Sequence, residues 1–167
     1  MSAFRIRMAR PEDAEVLVGL IRELAEYEKL QHVAQPDPKA LRAHLDPAAC
    51  PRCEALLAEE IESGEPIGFA LFFANYSTFL TRWGLYLEDI YVRPAYRGRG
   101  VGMALFQRVA EIAVARGAQR LDWQVLDWNA TARQFYEKLG AQALKEWIPM
   151  RLSGTALLQL GSNAAAG

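Results

Sequence analysis

The sequence predicts a mixed α/β fold, with one domain over residues 1–160 and a loose tail over residues 161–167. Three observations predict this fold class. A segment near the N-terminus has strand periodicity, two apolar segments in the middle are joined by a turn, and the second half reads as helix, strand and helix. The 167 residues are 51% hydrophobic, which is enough for one domain to bury a full core without disulfides or metals.

The first predicted element is a strand, and the next two are helices. Phe4–Met8 alternates apolar and polar residues, as a strand with one buried face does. A helix then runs to about Tyr27, with Pro11 at its first position. The apolar stripe of this helix consists of Val16, Leu17, Leu20, Ile21 and Leu24. A shorter helix begins after the N-cap Asp37 and ends before Pro47.

The middle of the chain is predicted to form three strands. Residues 54–61 and 67–76 are apolar segments joined by a polar turn at residues 62–65, so they should pair as an antiparallel hairpin. A third strand follows over residues 85–92.

After residue 92 the pattern changes to helix, strand and helix. The helices are predicted at residues 101–116 and 130–139, with Gly117 and Gly140 as their stop signals. Residues 120–126 form the strand between them.

Two closing strands are predicted near the C-terminus, at residues 143–145 and 155–160. Residues 161–167 are small and polar, which is typical of a loose tail.

The charge balance argues against two classes of partner. Lys and Arg number 19 while Asp and Glu number 20, so no basic excess is present to hold nucleic acid or an anionic membrane surface. Residues 1–7 lack the apolar core of a signal peptide, and no apolar segment reaches the roughly 20 residues that a membrane helix needs. The protein is therefore expected in the cytoplasm, without nucleic acid or membrane as a partner.

Two cysteines form a CxxC pair that carries little functional signal. A redox pair would place Cys50 at a helix N-terminus, whereas this pair precedes a predicted strand. Zinc would need two further ligands beside Cys50 and Cys53, and neither His32 nor His44 has a finger-like spacing. We therefore predict no metal site and interpret the segment as a surface loop with reduced thiols.

A glycine-rich junction between the strand at residues 85–92 and the following helix is the most informative segment. Gly98, Gly100 and Gly102 let the backbone turn tightly and approach a ligand. Unpaired amide groups at a helix N-terminus bind anions such as a pyrophosphate, and Arg97 with Arg99 adds positive charge.

Two common phosphate-binding patterns do not fit this junction. A Walker loop needs a lysine and a hydroxyl residue after its last glycine, and neither is present. A dinucleotide fingerprint needs a third glycine where Met103 stands, although Asp122 lies at the distance of a ribose-binding acid.

A third pattern fits better. Arg97, Gly100 and Gly102 match the spacing of Arg or Gln, two residues, Gly, one residue, and Gly or Ala, which resembles the acetyl-CoA signature of GNAT enzymes. Residues 125–141 resemble the second GNAT block, where a strand is followed by an asparagine and by a helix with a Phe-Tyr pair. Here Asn129 begins that helix, and Phe135 with Tyr136 forms the pair, of which Phe135 is expected to face the sheet.

Nearly the whole chain resembles the diamine (spermidine/spermine) acetyltransferase branch of this superfamily. Residues 21–28 are similar to its first helix, residues 85–89 to its central strand, and Trp128 with Asn129 to its second block. Two features depart from that branch: Leu80 replaces an aromatic residue of the substrate wall, and residues 144–147 form a shorter segment.

The resemblance implies a GNAT fold, in which a central, mostly antiparallel twisted sheet is flanked by helices, and it implies acetyl-CoA as the cofactor. It also implies homodimers formed through the C-terminal strands. The residues that it implies for cofactor binding are Ile90, Tyr91, Val92, Arg97, Gly98, Arg99, Gly100, Val101, Gly102, Met103, Asn129, Ala132 and Tyr136. Those expected around the acceptor amine are Tyr27, Glu28, Glu88, Asp89, Asp122, Trp123 and Gln124.

Acetyl transfer to an amine needs a neutral nitrogen, and an alkyl ammonium with a pKa of about 10.4 must first lose a proton. Glu88 is the expected base, because the resembling branch places its matching glutamate near the acceptor. Main-chain amides of Ile90, Tyr91 and Val92 are expected to stabilise the oxyanion, and Tyr136 to protonate the departing thiolate.

The acceptor is left open by the sequence. We rank a small polyamine or diamine first, another small amine such as thialysine, an amino acid or an antibiotic second, and a protein amine third. Two other classes remain as alternatives: a CoA-binding sensor without turnover and a nucleotide-dependent oxidoreductase.

Overall fold

The computed structural model describes residues 3–163, which fall into two compact units divided between Gln124 and Val125. The first unit contains a five-stranded sheet with its strands in sequence order. Its strands are β1 (Phe4–Met8), β2 (Glu54–Glu60), β3 (Pro66–Ser77), β4 (Arg82–Val92) and β5 (Leu121–Trp123). Strands β1 to β4 pair antiparallel and β5 pairs parallel to β4, so the prediction of a mostly antiparallel sheet in a mixed α/β fold is confirmed.

Three helices belong to the first unit. They are α1 (Ala14–Tyr27), α2 (Pro38–His44) and α3 (Val101–Ala115). Most of the predicted apolar stripe of α1 is buried, with Leu17 and Leu20 almost inaccessible to solvent, but Val16 is exposed and Val18 is buried instead. These leucines belong to a core cluster that includes Phe69 of β3 and Tyr91 of β4, so α1 packs on the strands that carry the glycine-rich junction at their end.

The second unit contains two helices, α4 (Ala130–Lys138) and α5 (Gly154–Asn163). The predicted strand at residues 155–160 is wrong, because these residues lie within α5. The segment is rich in Ala, Leu and Gln, which favour helix, and contains no β-branched residue after Thr155. Short apolar segments of this kind cannot be assigned by periodicity alone.

Three smaller predictions also differ from the structure. Residues 143–145 have no regular structure, and β5 is shorter than the predicted strand at residues 120–126. Residues 161–163 continue α5 instead of beginning a tail, while residues 164–167 lie outside the described residues. The single domain over residues 1–160 stays a prediction. Within the described residues, no helix is both long and apolar enough to cross a membrane.

A network of ion pairs around a buried carboxylate connects β1 and β2. Glu59 is only 6% exposed, and it accepts hydrogen bonds from Arg5 at 2.8 Å and from Arg7 at 2.9 Å. Arg7 also donates two hydrogen bonds to Asp13, at 2.7 and 2.8 Å. The hydrogen bonds from Arg7 are the main reason why the pKa values of Glu59 and Asp13 lie below their usual range.

This network predicts a loss of stability in acid. Because the folded-state pKa values are lowered, the stabilisation is complete above about pH 5 and disappears as the pH falls below about 4. Glu59→Gln should cost about 2–3 kcal/mol of unfolding free energy at pH 7 and much less at about pH 2, where the carboxyl group is protonated in both states. Urea unfolding at the two pH values measures the difference, and an equal cost at both would contradict the assignment.

Candidate functional site

Strand β4, the fourth of the five strands, carries one residue more than its neighbour β3 can pair with. Leu71 of β3 lies opposite Asp89, whereas the next residue, Phe72, lies opposite Leu87. Glu88 is therefore the extra residue of a β-bulge, and its side chain is exposed. Bulges bend a strand and re-aim its side chains, which is common beside active sites.

Because of the bulge, the odd-numbered backbone amides of β4 face away from β3 before Glu88 and towards β3 after it. Before it, the Leu85 amide donates to the Arg120 carbonyl of the β5 side at 3.2 Å. After it, the Arg93 amide donates to Ile67 on the β3 side at 2.9 Å. Amides alternate in direction along a strand, so even-numbered residues after the bulge face away from β3.

The pairing of β4 with β5 ends at Leu87 and Trp123, while β4 continues to Val92. The amides of Ile90 and Val92 therefore point towards the edge of β4 that lies beyond the end of β5. Donors of this kind can bind the oxygen of a ligand carbonyl. The Tyr91 amide, which was also expected to stabilise the oxyanion, faces β3 instead, because it alternates with its neighbours.

The glycine-rich junction has the backbone conformation that its sequence predicts. Gly98 and Gly100 have φ values of 74° and 83°, a region that residues with side chains rarely adopt. Gly100 is the N-cap of α3 and provides no side-chain cap for the first amides of the helix. A Cβ atom at either glycine would meet no protein atom within 4 Å, so both face open space. The junction can therefore accept an anionic group at the N-terminus of α3.

The two arginines of the junction have different environments. Arg97 donates from Nε to the Val92 carbonyl at 2.9 Å, and its guanidinium lies 4.4 Å from the centre of the Tyr27 ring. Arg99 lies over Tyr96 at 5.3 Å and lines a hollow of about 420 Å³ beside the first turn of α3. Arg99 therefore faces a space that a ligand could enter.

Three carboxylates come together near the bulge. Burial, followed by the charges of Glu88 and Glu28, raises the pKa of Asp89 from 3.8 to about 6. Burial also raises the pKa of Glu28, the residue that follows the last residue of α1. This group of Glu28, Glu88 and Asp89 is called the acidic cluster below, and a cation bound to it would reduce the repulsion among its members.

The other predicted acceptor residues are placed differently. Asp122 of β5 accepts a hydrogen bond from Asn75 at 2.8 Å and forms an ion pair with Arg120 at 2.8 Å. Trp123 packs edge-to-face on Phe106 of α3, with ring centres 5.2 Å apart. Gln124 is exposed at the end of the first unit. The involvement of Asp122, Trp123 and Gln124 in acceptor binding stays a prediction.

The second unit contains the remaining predicted site residues. Asn129 is the N-cap of α4, and its side chain accepts a hydrogen bond from the Ala132 amide at 3.2 Å. Tyr136 is the buried member of the Phe-Tyr pair and Phe135 is half-buried, while the expectation that Phe135 faces the sheet stays a prediction. Burial raises the pKa of Tyr136 to about 12, so its hydroxyl stays protonated at neutral pH.

Known proteins with similar sequences agree on one chemistry. A thialysine N-epsilon-acetyltransferase of Bos taurus is 41% identical, over 96% of this chain and 98% of its own. An L-ornithine N5-acetyltransferase of Arabidopsis thaliana is 34% identical, over 92% of this chain and 86% of its own. A spermidine/spermine N(1)-acetyltransferase-like protein of Homo sapiens is 30% identical, over 96% of this chain and 24% of its own. The resemblance to the diamine branch is thereby confirmed.

Residues 20–141 match the acetyltransferase (GNAT) family. This range contains the bulged strand, the glycine-rich junction and the helix with the Phe-Tyr pair. The protein is an N-acetyltransferase, and its chain belongs to the GNAT family.

Proposed function

We propose that this enzyme transfers the acetyl group of acetyl-CoA to the terminal amine of a small amino acid or diamine, with thialysine as the first candidate. The acidic cluster is the observation that carries the proposal, because it would attract an ammonium group to the end of β4. The thialysine and ornithine enzymes match along most of their own lengths. We therefore now rank a side-chain amine of an amino acid before a polyamine.

The glycine-rich junction fits the diphosphate of acetyl-CoA. The open space at Gly98 and Gly100 allows close approach, and the first-turn amides of Val101, Gly102 and Met103 supply donors. Arg99 adds a positive charge, and Asn129 with Ala132 is proposed to bind the pantetheine arm. When bound, acetyl-CoA supplies an acyl group activated by its thioester.

The remaining residues supply acid–base and electrostatic help. We propose that Glu88 accepts the proton of the acceptor ammonium, directly or through water, since the bulge leaves its side chain exposed. The Ile90 and Val92 amides would stabilise negative charge on the acetyl oxygen. Tyr136, which is kept protonated by burial, would donate its proton to the thiolate of CoA.

An acceptor screen tests this function. Thiol release from acetyl-CoA is measured with thialysine, L-ornithine, spermidine and a lysine-containing peptide, and calorimetry measures CoA binding. The proposal expects thialysine or ornithine to give the highest kcat/KM. A preference for the peptide or for spermidine would overturn the acceptor, and CoA binding without any thiol release would support a sensor instead.

Asp89 gives a prediction that links stability to activity. The folded protein holds the Asp89 proton more tightly than the unfolded chain does, so stability decreases as the pH rises from about 4 to about 6. Asp89→Asn should therefore raise the unfolding free energy at pH 8 by about 1–3 kcal/mol, with little gain at pH 4. The same change should raise the KM for the acceptor amine.

Urea unfolding and acceptor kinetics measure the two effects of Asp89→Asn. Glu62→Gln is the matched control, because it removes one carboxylate from the exposed β2–β3 turn. A gain in stability at pH 8 for both variants would show that overall charge, and not the burial of Asp89, is responsible.

Gly68 of β3 is predicted to set the position of the end of β4. A Cβ atom at this glycine would lie 2.6 Å from the Tyr91 carbonyl oxygen and 3.3 Å from the Val92 Cα atom. Gly68→Ala must therefore displace backbone next to the proposed oxyanion amides. Since such small displacements matter in catalysis, turnover should fall about tenfold or more.

The control for Gly68→Ala is Gly84→Ala at the other end of β4. Its Cβ would lie 2.6 Å from the Asn75 Oδ1 atom and 3.1 Å from the Arg120 carbonyl oxygen, so a steric clash arises away from the Ile90 and Val92 amides. Thermal unfolding and steady-state kinetics compare the two variants. Equal losses of turnover at equal losses of stability would show that Gly68 has no special role in positioning.

Homodimer formation stays part of the proposal, although not through a strand at residues 155–160. The second unit exposes several large apolar side chains, which monomeric proteins usually cover. They include Trp147, Ile148, Met150, Leu157, Leu158 and Leu160. Sedimentation equilibrium measures the mass directly, and a monomer at micromolar concentration would exclude the dimer.

A further inference from the structure

Two pairs of side chains join the last turns of α1 to the end of β4. Glu23 of α1 forms an ion pair with Arg93 at 2.7 Å, and the Tyr27 ring lies beneath the Arg97 guanidinium at 4.4 Å. Glu23 and Tyr27 are four residues apart on α1 and therefore lie on one helix face. Arg93 and Arg97 flank the short 3-10 helix Pro94–Tyr96, so both connections reach the segment between β4 and the glycine-rich junction.

The guanidinium of Arg97 is fixed from several directions. Its Nε atom donates to the Val92 carbonyl, and the ring of Tyr91 lies 5.7 Å from the guanidinium carbon. Tyr91 is itself held by α1, since its hydroxyl donates to Glu23 at 3.4 Å. A planar guanidinium that contacts two aromatic rings and donates from one nitrogen to a backbone carbonyl is a rigid connector.

The far end of this connector lies next to the acidic cluster. Tyr27 is the last residue of α1, and Glu28 follows it directly. Glu28 is close enough to Asp89 for its charge to contribute to the raised pKa of that carboxyl. Anything that fixes Tyr27 therefore also fixes the backbone that carries Glu28.

We propose that Arg97 is a positioning residue for the acceptor amine, which holds Tyr27 and thereby keeps Glu28 against Asp89. This inference rests on the proposed function of the acidic cluster as the acceptor site. The glycine-rich motif alone assigns Arg97 to the cofactor, whereas its contacts lead to α1 and to the strand end. Arg97 thus links the acceptor site to the acetyl-CoA site, because its hydrogen bond to the Val92 carbonyl also holds the start of the glycine-rich junction at the end of β4.

The neighbouring arginine provides a matched comparison. Arg99 belongs to the same junction, carries the same charge and lies over Tyr96 at 5.3 Å. Tyr96 donates a hydrogen bond to Glu65, on the turn that precedes β3. Removal of Arg99 should therefore weaken acetyl-CoA binding and leave the KM for the acceptor amine nearly unchanged.

The test measures the acceptor KM with thialysine, or with L-ornithine if the wild type prefers it, at saturating acetyl-CoA. Arg97→Ala and Tyr27→Leu should each raise this KM about three- to tenfold, as expected for one cation–π contact and its coupled hydrogen bond. The double variant should show no further rise, because both changes break the same connection. Arg99→Ala should raise the acceptor KM by less than about twofold, and Tyr27→Phe, which keeps the ring, should recover most of the loss seen in Tyr27→Leu.

Several outcomes would overturn the proposal. These are an unchanged acceptor KM in Arg97→Ala, strictly multiplicative effects in the double variant, or an equal rise in Arg99→Ala. If Arg97→Ala does not fold, Arg97→Lys replaces it in the same comparison, because it keeps the charge and loses the Nε hydrogen bond to the Val92 carbonyl. A wild-type enzyme that acetylates no small amine would contradict the proposed function. That result is distinct from a failure of the Arg97 proposal, because the wild type is assayed before any variant.

Discussion

Tyr136→Phe is expected to lower turnover by about a hundredfold or more while acetyl-CoA affinity stays nearly constant. The substitution keeps the buried ring and removes only the hydroxyl, so packing should be preserved. Because burial raises the pKa of Tyr136 to about 12, the wild-type hydroxyl is protonated over the whole working range of pH. Single-turnover kinetics isolate the chemical step from product release.

The outcome for Tyr136 separates catalysis from packing. If the ring is only packed, turnover should hold and stability should change by about 1 kcal/mol, the net value of one hydrogen bond. Tyr76→Phe on the β3–β4 hairpin is the control for loss of a tyrosine hydroxyl, and it should leave turnover unchanged. A thioester with a more acidic thiol should narrow the difference between Tyr136→Phe and the wild type, since it needs less help from a proton donor.

Glu88→Gln is expected to lower turnover by about ten- to a thousandfold at neutral pH. Raising the pH supplies free amine without a base, so part of the activity should return at high pH. The measurement is a pH profile of kcat/KM for the acceptor. The variant removes no buried contact, since the Glu88 side chain is exposed, and its stability should be close to that of the wild type.

Asp89→Asn is the control for the pH profile of Glu88→Gln. Both changes remove one charge from the acidic cluster, but only Glu88 is proposed to accept a proton. If the cluster acts by attraction alone, the two variants should raise the acceptor KM and have profiles of the same shape. Identical profiles for Glu88→Gln and the wild type would exclude Glu88 as the base.

The parts of the fold that follow from local sequence could be predicted. The glycine-rich junction is one example, because positive φ values at Gly98 and Gly100 and an exposed helix start are properties of a few consecutive residues. The stripe of α1 and the hairpin of β2 and β3 are others. The prediction failed at residues 155–160, where short apolar sequence is compatible with both helix and strand.

The parts of the site that depend on distant residues could not be predicted in detail. The bulge at Glu88 arises from the register between β3 and β4, and no single strand determines a register. The sequence assigned Tyr27 to the acceptor and Arg97 to the cofactor, yet the structure brings the two into contact. Asp122 accepts a hydrogen bond from Asn75 and is not part of the acidic cluster, which is likewise a result of packing between distant residues.

The extra residue in β4 has a consequence for engineering this enzyme. A protein designer who idealises the sheet would pair Glu88 with Leu71 and shift each later residue of β4 by one partner, which gives a more regular strand. This shift would place Ile90 opposite Phe69 and turn the Ile90 and Val92 amides towards β3, where they would form ordinary interstrand hydrogen bonds. Optimisation for stability alone therefore favours the loss of the outward-facing Ile90 and Val92 amides. A thermostable variant of this enzyme should be built with the bulge at Glu88 kept unchanged.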